Sequence, residues 1–317
     1  MLTRREYLSL TAQVSAALAL PQRLFAQSGE VMTRAIPKTG EKVLIVGLGS
    51  SATFSEVAGA ADTEAIKSVF TAMLEQGGTV FDTAPGYGAS EEVAGRIAAD
   101  LGLSDRIFWA TKVNVATGRG GGGAADPAAA RKQIDTSFSR IKKAKIDLIQ
   151  VHNLGDVPTQ LAILKELKQQ GRIKYIGVTT TFDQQYDQLI DIMRREPLDF
   201  IGVDYAIDAR EVEQTILPLA QERKIGVLAY QPFGRTRLWN RVGTTPVPDY
   251  AKEFDAATWA QFFIKFVASH PAVTVVTPAT SQAKNMLDNL SVGRGRMPDA
   301  AMRKRMIATV DALPGAR

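Results

Sequence analysis

The chain has 317 residues, of which 22% are charged and 45% hydrophobic, with a formal net charge of +5. That balance excludes wholesale disorder. The absence of Cys, with only His152 and His270 for histidine, excludes a disulfide scaffold, a thiolate metal site, a cysteine nucleophile and a multi-histidine metal centre, so no metal is expected.

In chain order, residues 1–26 read first as an export signal. Arg4-Arg5 precedes Glu6-Tyr7-Leu8, close to the twin-arginine pattern. An Ala- and Leu-rich stretch runs from Tyr7 to Leu20, shorter than the roughly 20 residues that span a bilayer. Leu24-Phe25-Ala26 is an imperfect small-x-small cleavage site. The expectation is passage through the twin-arginine translocase to the periplasm, with no membrane contact after signal removal. Without the signal, the chain would stay cytoplasmic. Residues 27–317 then form the folded body.

That body alternates apolar runs with amphipathic stretches. The runs are Val43–Val46, Thr79–Phe81, Ile107–Ala110, Ile146–Val151, Ile173–Val178, Phe200–Val203, Gly226–Tyr230 and Val273–Val276. Near-continuous apolar runs suit parallel strands buried on both faces. Between them, Ile66, Val69, Phe70, Met73 and Leu74 share a helical face that Gly77 can end. Asp126-Pro127 supplies an N-cap and a first-turn Pro ahead of Ile134, Phe138 and Ile141. Leu161, Leu164 and Leu167 form a further stripe, as do Trp259, Phe262, Phe263, Phe266 and Val267. Eight β/α units in one domain predict a (β/α)8 TIM barrel with a C-terminal helical tail. A doubly wound sheet is the alternative, but Gly47-Leu48-Gly49-Ser50 lacks the third Gly of a dinucleotide loop.

Barrel active sites sit at the C-terminal strand ends. Asp82 follows the second run, Lys112 the third and His152 the fourth, with Tyr87 in the loop after Asp82. A tyrosine, with an unperturbed pKa of about 10, is a weak acid at neutral pH. A neighbouring ammonium strengthens it by stabilising the phenolate. Lys112 can supply that charge, Asp82 can hold Lys112, and His152 can orient a substrate oxygen. The group suits protonation of a carbonyl oxygen, and such a site needs a hydride donor from a cofactor.

These segments resemble the aldo-keto reductases. The resemblance spans roughly residues 32–290 and rests on Phe81-Asp82-Thr83-Ala84, Tyr87-Gly88, Ser90-Glu91, Thr111-Lys112-Val113, Asp147–Asn153 and Ile176-Gly177-Val178. It implies a barrel that interconverts carbonyls and alcohols with NADP(H), NAD(H) being the other option. Asp82, Tyr87, Lys112 and His152 match the catalytic tetrad, with Tyr87 as general acid or base. On the cofactor side the resemblance implies Ser50 at the nicotinamide ribose and Thr179 and Thr180 toward the carboxamide, with Asn153 also counted among the cofactor-binding residues. Tyr205 takes the part of the stacking aromatic. Gly202 stands where the family has a Gln. Pro232, Gly234, Arg235 and Arg237 resemble the pyrophosphate loop. Thr280, Lys284, Asp288 and Asn289 resemble the adenine side, with Ala279 and Asn285 where many members carry Lys and Arg.

The partner is therefore expected to be a small-molecule carbonyl or alcohol. No basic run interleaved with aromatics points to nucleic acid. The oligomeric state stays open. A nucleotide-binding sensor or interaction protein with little turnover is the alternative function. Gly118–Gly123 reads as a substrate-side loop, His270 as structural, and Ser291–Arg317 as a solvated tail helix packing through Met302, Met306, Ile307 and Val310.

Overall fold

The computed structural model describes residues 31–60, 63–117 and 122–315. The export-signal reading of 1–26 and the loop residues 118–121 lie outside the described residues.

A two-stranded hairpin, β1 (Thr33–Ala35) and β2 (Lys42–Leu44), precedes the main sheet. Eight parallel strands then pair in chain order: β3 (Leu48–Gly49), β4 (Val80–Asp82), β5 (Phe108–Val113), β6 (Ile146–Val151), β7 (Ile173–Thr180), β8 (Phe200–Asp204), β9 (Gly226–Tyr230) and β10 (Val275–Val276). Bridges from Val46 to Val276 and from Gly49 to Ala279 join the sheet's two edges. The Gly47 and Gly49 N–H groups donate across that seam to the Val276 and Pro278 carbonyls at 2.8 and 3.0 Å. The expected (β/α)8 barrel is therefore closed. A Cβ on Gly47 would lie 2.7 Å from the Val80 carbonyl oxygen, and one on Gly49 2.7 Å from that of Thr277. Only glycine lets the first barrel strand approach both neighbours this closely.

The first strand corrects the sequence expectation. The apolar run Val43–Val46 divides its duties. Its beginning pairs antiparallel with β1, in the register Arg34 to Val43, while its end, at Val46, already bridges parallel to Val276 in the barrel and leads into β3. Gly40, at a φ of +75°, helps turn the hairpin.

The hairpin plugs one end of the barrel. Ile36 and Val43 pack with Phe108, Tyr175 and Phe200 inside it. Lys38 Nζ donates to the Leu198 carbonyl, and Thr39 Oγ1 lies 2.8 Å from the Tyr175 hydroxyl. The remaining core sits between sheet and helices. Helix α1 (Thr53–Gly59) follows β3, and α2 (Thr63–Glu75) buries Ile66, Val69, Phe70, Met73 and Leu74. Helix α3 (Ser90–Asp100) follows β4. Helix α4 (Pro127–Ile141) starts as expected, with the Asp126 carboxylate accepting from the Ala128 N–H at 3.0 Å. Helices α5 (Val157–Gln169), α6 (Tyr186–Arg195) and α7 (Ile216–Glu222) continue the ring. The loop after β9 carries the short α8 (Arg237–Val242), and α9 (Trp259–Ala268) precedes β10.

The chain ends with α10 (Ala283–Ser291) and α11 (Ala300–Asp311). The tail helix buries Met306 and Val310 as expected, but Arg303 is half-buried rather than fully solvated. Its guanidinium bonds the Tyr205 hydroxyl at 2.7 Å and the Glu213 carboxylate at 2.6 Å, clamping α11 to the barrel wall. His270 is structural: its Nδ1 accepts from the Ala272 N–H.

Candidate active site

Alternate residues of a strand face the barrel interior. Val80, Ala110, Leu148 and Leu228 belong to the interior apolar cluster. Two residues onward on the same four strands stand Asp82, Lys112, Gln150 and Tyr230. A polar layer therefore caps the apolar one at the C-terminal ends of the strands.

Lys112 is the hub. It is 1% exposed, and Nζ donates to Asp82 Oδ1 and to the Thr83 carbonyl, each at 2.7 Å. The ammonium lies 5.1 Å from the Tyr87 ring centroid and 5.3 Å from that of Tyr230. Burial alone would depress its proton affinity, but the Asp82 charge and the Tyr87 hydroxyl outweigh it and hold the lysine protonated. The second Asp82 oxygen, Oδ2, accepts from the Tyr230 hydroxyl at 3.1 Å, and Gln150 Nε2 donates to that hydroxyl at 3.1 Å.

His152 follows β6 into a short 3-10 turn and meets the Tyr87 ring edge-to-face, 5.8 Å between centroids. The Asn114 side-chain amide holds its carbonyl at 2.8 Å. Burial first, and then the Lys112 charge, push the imidazole down to about 3. It is therefore neutral at physiological pH, with one ring N–H to donate. The folded pKa lies below the unfolded one. Below about pH 6.5 the unfolded chain takes up a proton that the folded chain refuses, so this group's contribution to stability is lost as pH falls from about 6.5 toward 3. Imidazole NMR is expected to show no His152 titration above about pH 5. Assignment is simple, because His270 is the other histidine. A midpoint near 6.5 would contradict the neutral role.

Around this centre several buried polar atoms have no hydrogen-bond partner among the described residues. They are Ser50 Oγ after β3, Thr83 Oγ1 after β4, Gln150 Oε1 on β6, Asp204 Oδ1 at the end of β8 and Gln231 Oε1 after β9. Burial raises the Asp204 carboxyl to about 6, against the pull of Arg235 and Arg237. Pro232 and Gly234 lie in the turn after β9, where the Gly234 N–H donates to the Gln231 carbonyl at 2.8 Å. Arg235 follows at a φ of +61° and makes no ion pair with any described residue.

Beyond that loop lies a cavity of about 510 Å³, lined by Trp239 and Trp259 and by Thr280, Asn285, Asp288 and Asn289. Thr280 Oγ1 caps the Gln282 N–H at 3.1 Å. Asp288 accepts from Thr258 Oγ1 and Gln261 Nε2, at 2.8 and 2.6 Å.

The structure does not bring every expected residue to this mouth. Tyr205 is fully buried on the outer side of the sheet, against Phe266 and His270, with its hydroxyl on Arg303 and Glu213. Lying one residue past Asp204, it points outward and cannot stack on a ligand in the mouth. Arg237 forms a two-pronged pair with Asp208, at 2.6 and 2.9 Å, so its charge is already neutralised and Arg235 is the free guanidinium of the loop. Lys284 is exposed and outside the cavity lining. Thr180 Oγ1 is engaged with the Gln185 amide and the Phe182 N–H. Asn153, at a φ of +54°, gives its N–H to Thr179 Oγ1 at 3.4 Å and its carbonyl to Gln185 Nε2 at 3.2 Å. Tyr230, Gln150 and Asp204 were not foreseen as site residues. Strand alternation from Asp82 and Lys112 is the signal that finds the first two.

Comparison with known proteins agrees with this geometry. Residues 45–306 match the family model described as the aldo/keto reductase family. Aldo-keto reductase YhdN of Bacillus subtilis is 32% identical over 217 residues, covering 65% of this chain and 63% of that protein. Among solved structures, an aldo/keto reductase from Klebsiella pneumoniae in complex with NADP and acetate superposes with a TM-score of 0.69 at 23% identity, covering 86% of this chain and 92% of its own. The holo form of an aldo-keto reductase from Bacillus halodurans gives 0.68 at 22% identity, covering 89% and 96%. With a closed barrel, a polar layer at its C-terminal strand ends and a family match across most of its length, the chain belongs to the aldo/keto reductase family.

Proposed function

We propose that the protein interconverts a small aldehyde or ketone and its alcohol with NADP(H). The observation that carries this reading is the convergence of Asp82, Lys112, Tyr87 and His152 on one side of the barrel mouth.

The mouth suits a nicotinamide nucleotide. Ser50 Oγ is a buried hydroxyl without a partner, Arg235 is a free guanidinium suited to phosphate, and the cavity with two tryptophans offers an aromatic seat beyond them. Ser50 would hold the ribose beside the nicotinamide, with Asn153 and Thr179 toward the carboxamide. Arg235 would hold phosphate, and Thr280, Asp288 and Asn289 would surround the adenosine. When bound, the nucleotide supplies or takes up the hydride.

The protein's own residues manage the proton. Lys112, kept charged by Asp82, stabilises negative charge forming on the Tyr87 oxygen. Tyr87 gives its proton to the carbonyl oxygen in reduction and takes one from the alcohol in oxidation. Neutral His152 donates its N–H to the same substrate oxygen and fixes its direction.

Purified protein is expected to consume NADPH, followed by absorbance, with at least one member of a panel of aldehydes and ketones. NADH is run beside it, because the cavity lining holds no lysine or arginine among the described residues. Tight nucleotide binding without turnover across the panel would reject this reading and favour a nucleotide sensor.

A further inference from the structure

We propose that Tyr230 is a positioning residue of this site, whose hydroxyl fixes the Asp82 carboxylate and, through it, the Lys112 ammonium. Its effect on turnover rests on the carbonyl-reductase reading above; its effect on Asp82 does not.

The seat of Tyr230 is made by an absent side chain. A Cβ on Gly202 would fall 2.4 to 2.6 Å from three Tyr230 atoms, Cε2, Oη and Cζ. A larger residue at 202 would push the ring out of the place it holds. Seated over Gly202, the phenol reaches across the interior to β4 and β6, which are not its strand neighbours. The hydrogen bonds there have one consistent direction. An ionised carboxylate only accepts, so the single phenolic proton goes to Asp82 Oδ2, and Gln150 must present its amino group to the phenolic oxygen. The two Asp82 oxygens are then divided, Oδ1 to Lys112 and Oδ2 to Tyr230.

The Tyr230 ring also lies near the ammonium, as Tyr87 does, at 5.3 and 5.1 Å from the two centroids. Lys112 is thereby held by Asp82 and by the Thr83 carbonyl, with two phenol rings nearby. The titratable groups around Asp82 are Lys112 from β5, Tyr230 from β9 and Tyr87 from the loop after β4, with His152 beyond Tyr87. Burial raises the proton affinity of Asp82, while the Lys112 charge and the Tyr230 hydrogen bond lower it. Losing the Tyr230 hydroxyl removes one of the donors that keep this buried carboxylate ionised. A protonated Asp82 no longer fixes Lys112.

Tyr230→Phe keeps the ring and removes only the hydroxyl. Difference infrared spectroscopy can follow the protonated-carboxyl band that Asp82→Asn abolishes. In Tyr230→Phe that band is expected to persist to about one pH unit higher than in the wild type. The acid limb of kcat should move the same way, with kcat lowered about tenfold and the KM for the carbonyl substrate within about twofold. Gly202→Ala, which crowds the ring while keeping its hydroxyl, is expected to move the band in the same direction. An unmoved band in either variant, once it is shown to be folded, overturns the proposal. If the wild type reduces no carbonyl compound, the reductase reading fails, and the infrared titration still decides the role of Tyr230.

Discussion

Tyr87→Phe is expected to lower kcat/KM for carbonyl reduction by about 10³-fold while leaving nucleotide affinity within about twofold. On the proposed reading, the substitution removes the proton that Tyr87 would deliver to the substrate oxygen. Lys112 is buried and already committed to Asp82 and the Thr83 carbonyl. His152 is neutral, and on the proposed reading it would act as a hydrogen-bond donor rather than an acid. Neither can take over. The ring of Tyr87 is only partly buried, and phenylalanine keeps its edge contact with His152, so the fold should be unaffected. Steady-state kinetics beside a nucleotide-binding titration separates the two effects. Activity within tenfold of the wild type would remove Tyr87 from the role of acid.

Lys112→Met is expected to abolish activity and also to cost about 3–5 kcal/mol of stability. Asp82 is 4% exposed, and its charge is balanced by this one lysine. Without the ammonium, a carboxylate remains in the barrel interior with only the Tyr230 hydroxyl for support. The double variant Lys112→Met with Asp82→Asn should recover most of that loss and none of the activity, because the uncompensated charge is gone while the catalytic charge is still missing. Urea unfolding measures the first quantity and turnover the second. A double variant no more stable than Lys112→Met would show that burial of the charge is not the cause.

Much of the architecture was readable because barrel strands are buried on both faces and leave unbroken apolar runs, as in Ile146–Val151 and Gly226–Tyr230. The helix that opens at Asp126-Pro127 was equally plain, since a side-chain cap acts within a few residues. The first strand was legible only at its end, where Val46 meets Val276. Val43–Val46 is as apolar as any barrel strand, because the inner side of a plug and a barrel wall both exclude water.

The same division holds at the site. Asp82, Lys112 and His152 advertise themselves as polar residues directly after apolar runs. Tyr205 was misassigned because motif spacing ignores the alternation of a strand, which turns it outward to Arg303. The pairing of Gly202 with Tyr230 and that of Arg237 with Asp208 were illegible for another reason. Each joins residues distant in sequence that meet only because β8 and β9 lie side by side in the sheet.

Ile36 and Val43 cover the lower end of an interior already filled by the apolar layer, so Lys112 can be approached only from the mouth. Whatever reaches Lys112 enters and leaves by a single opening. On the proposed reading both reactants would share that opening, and product-inhibition kinetics would show whether the one seated deeper enters first.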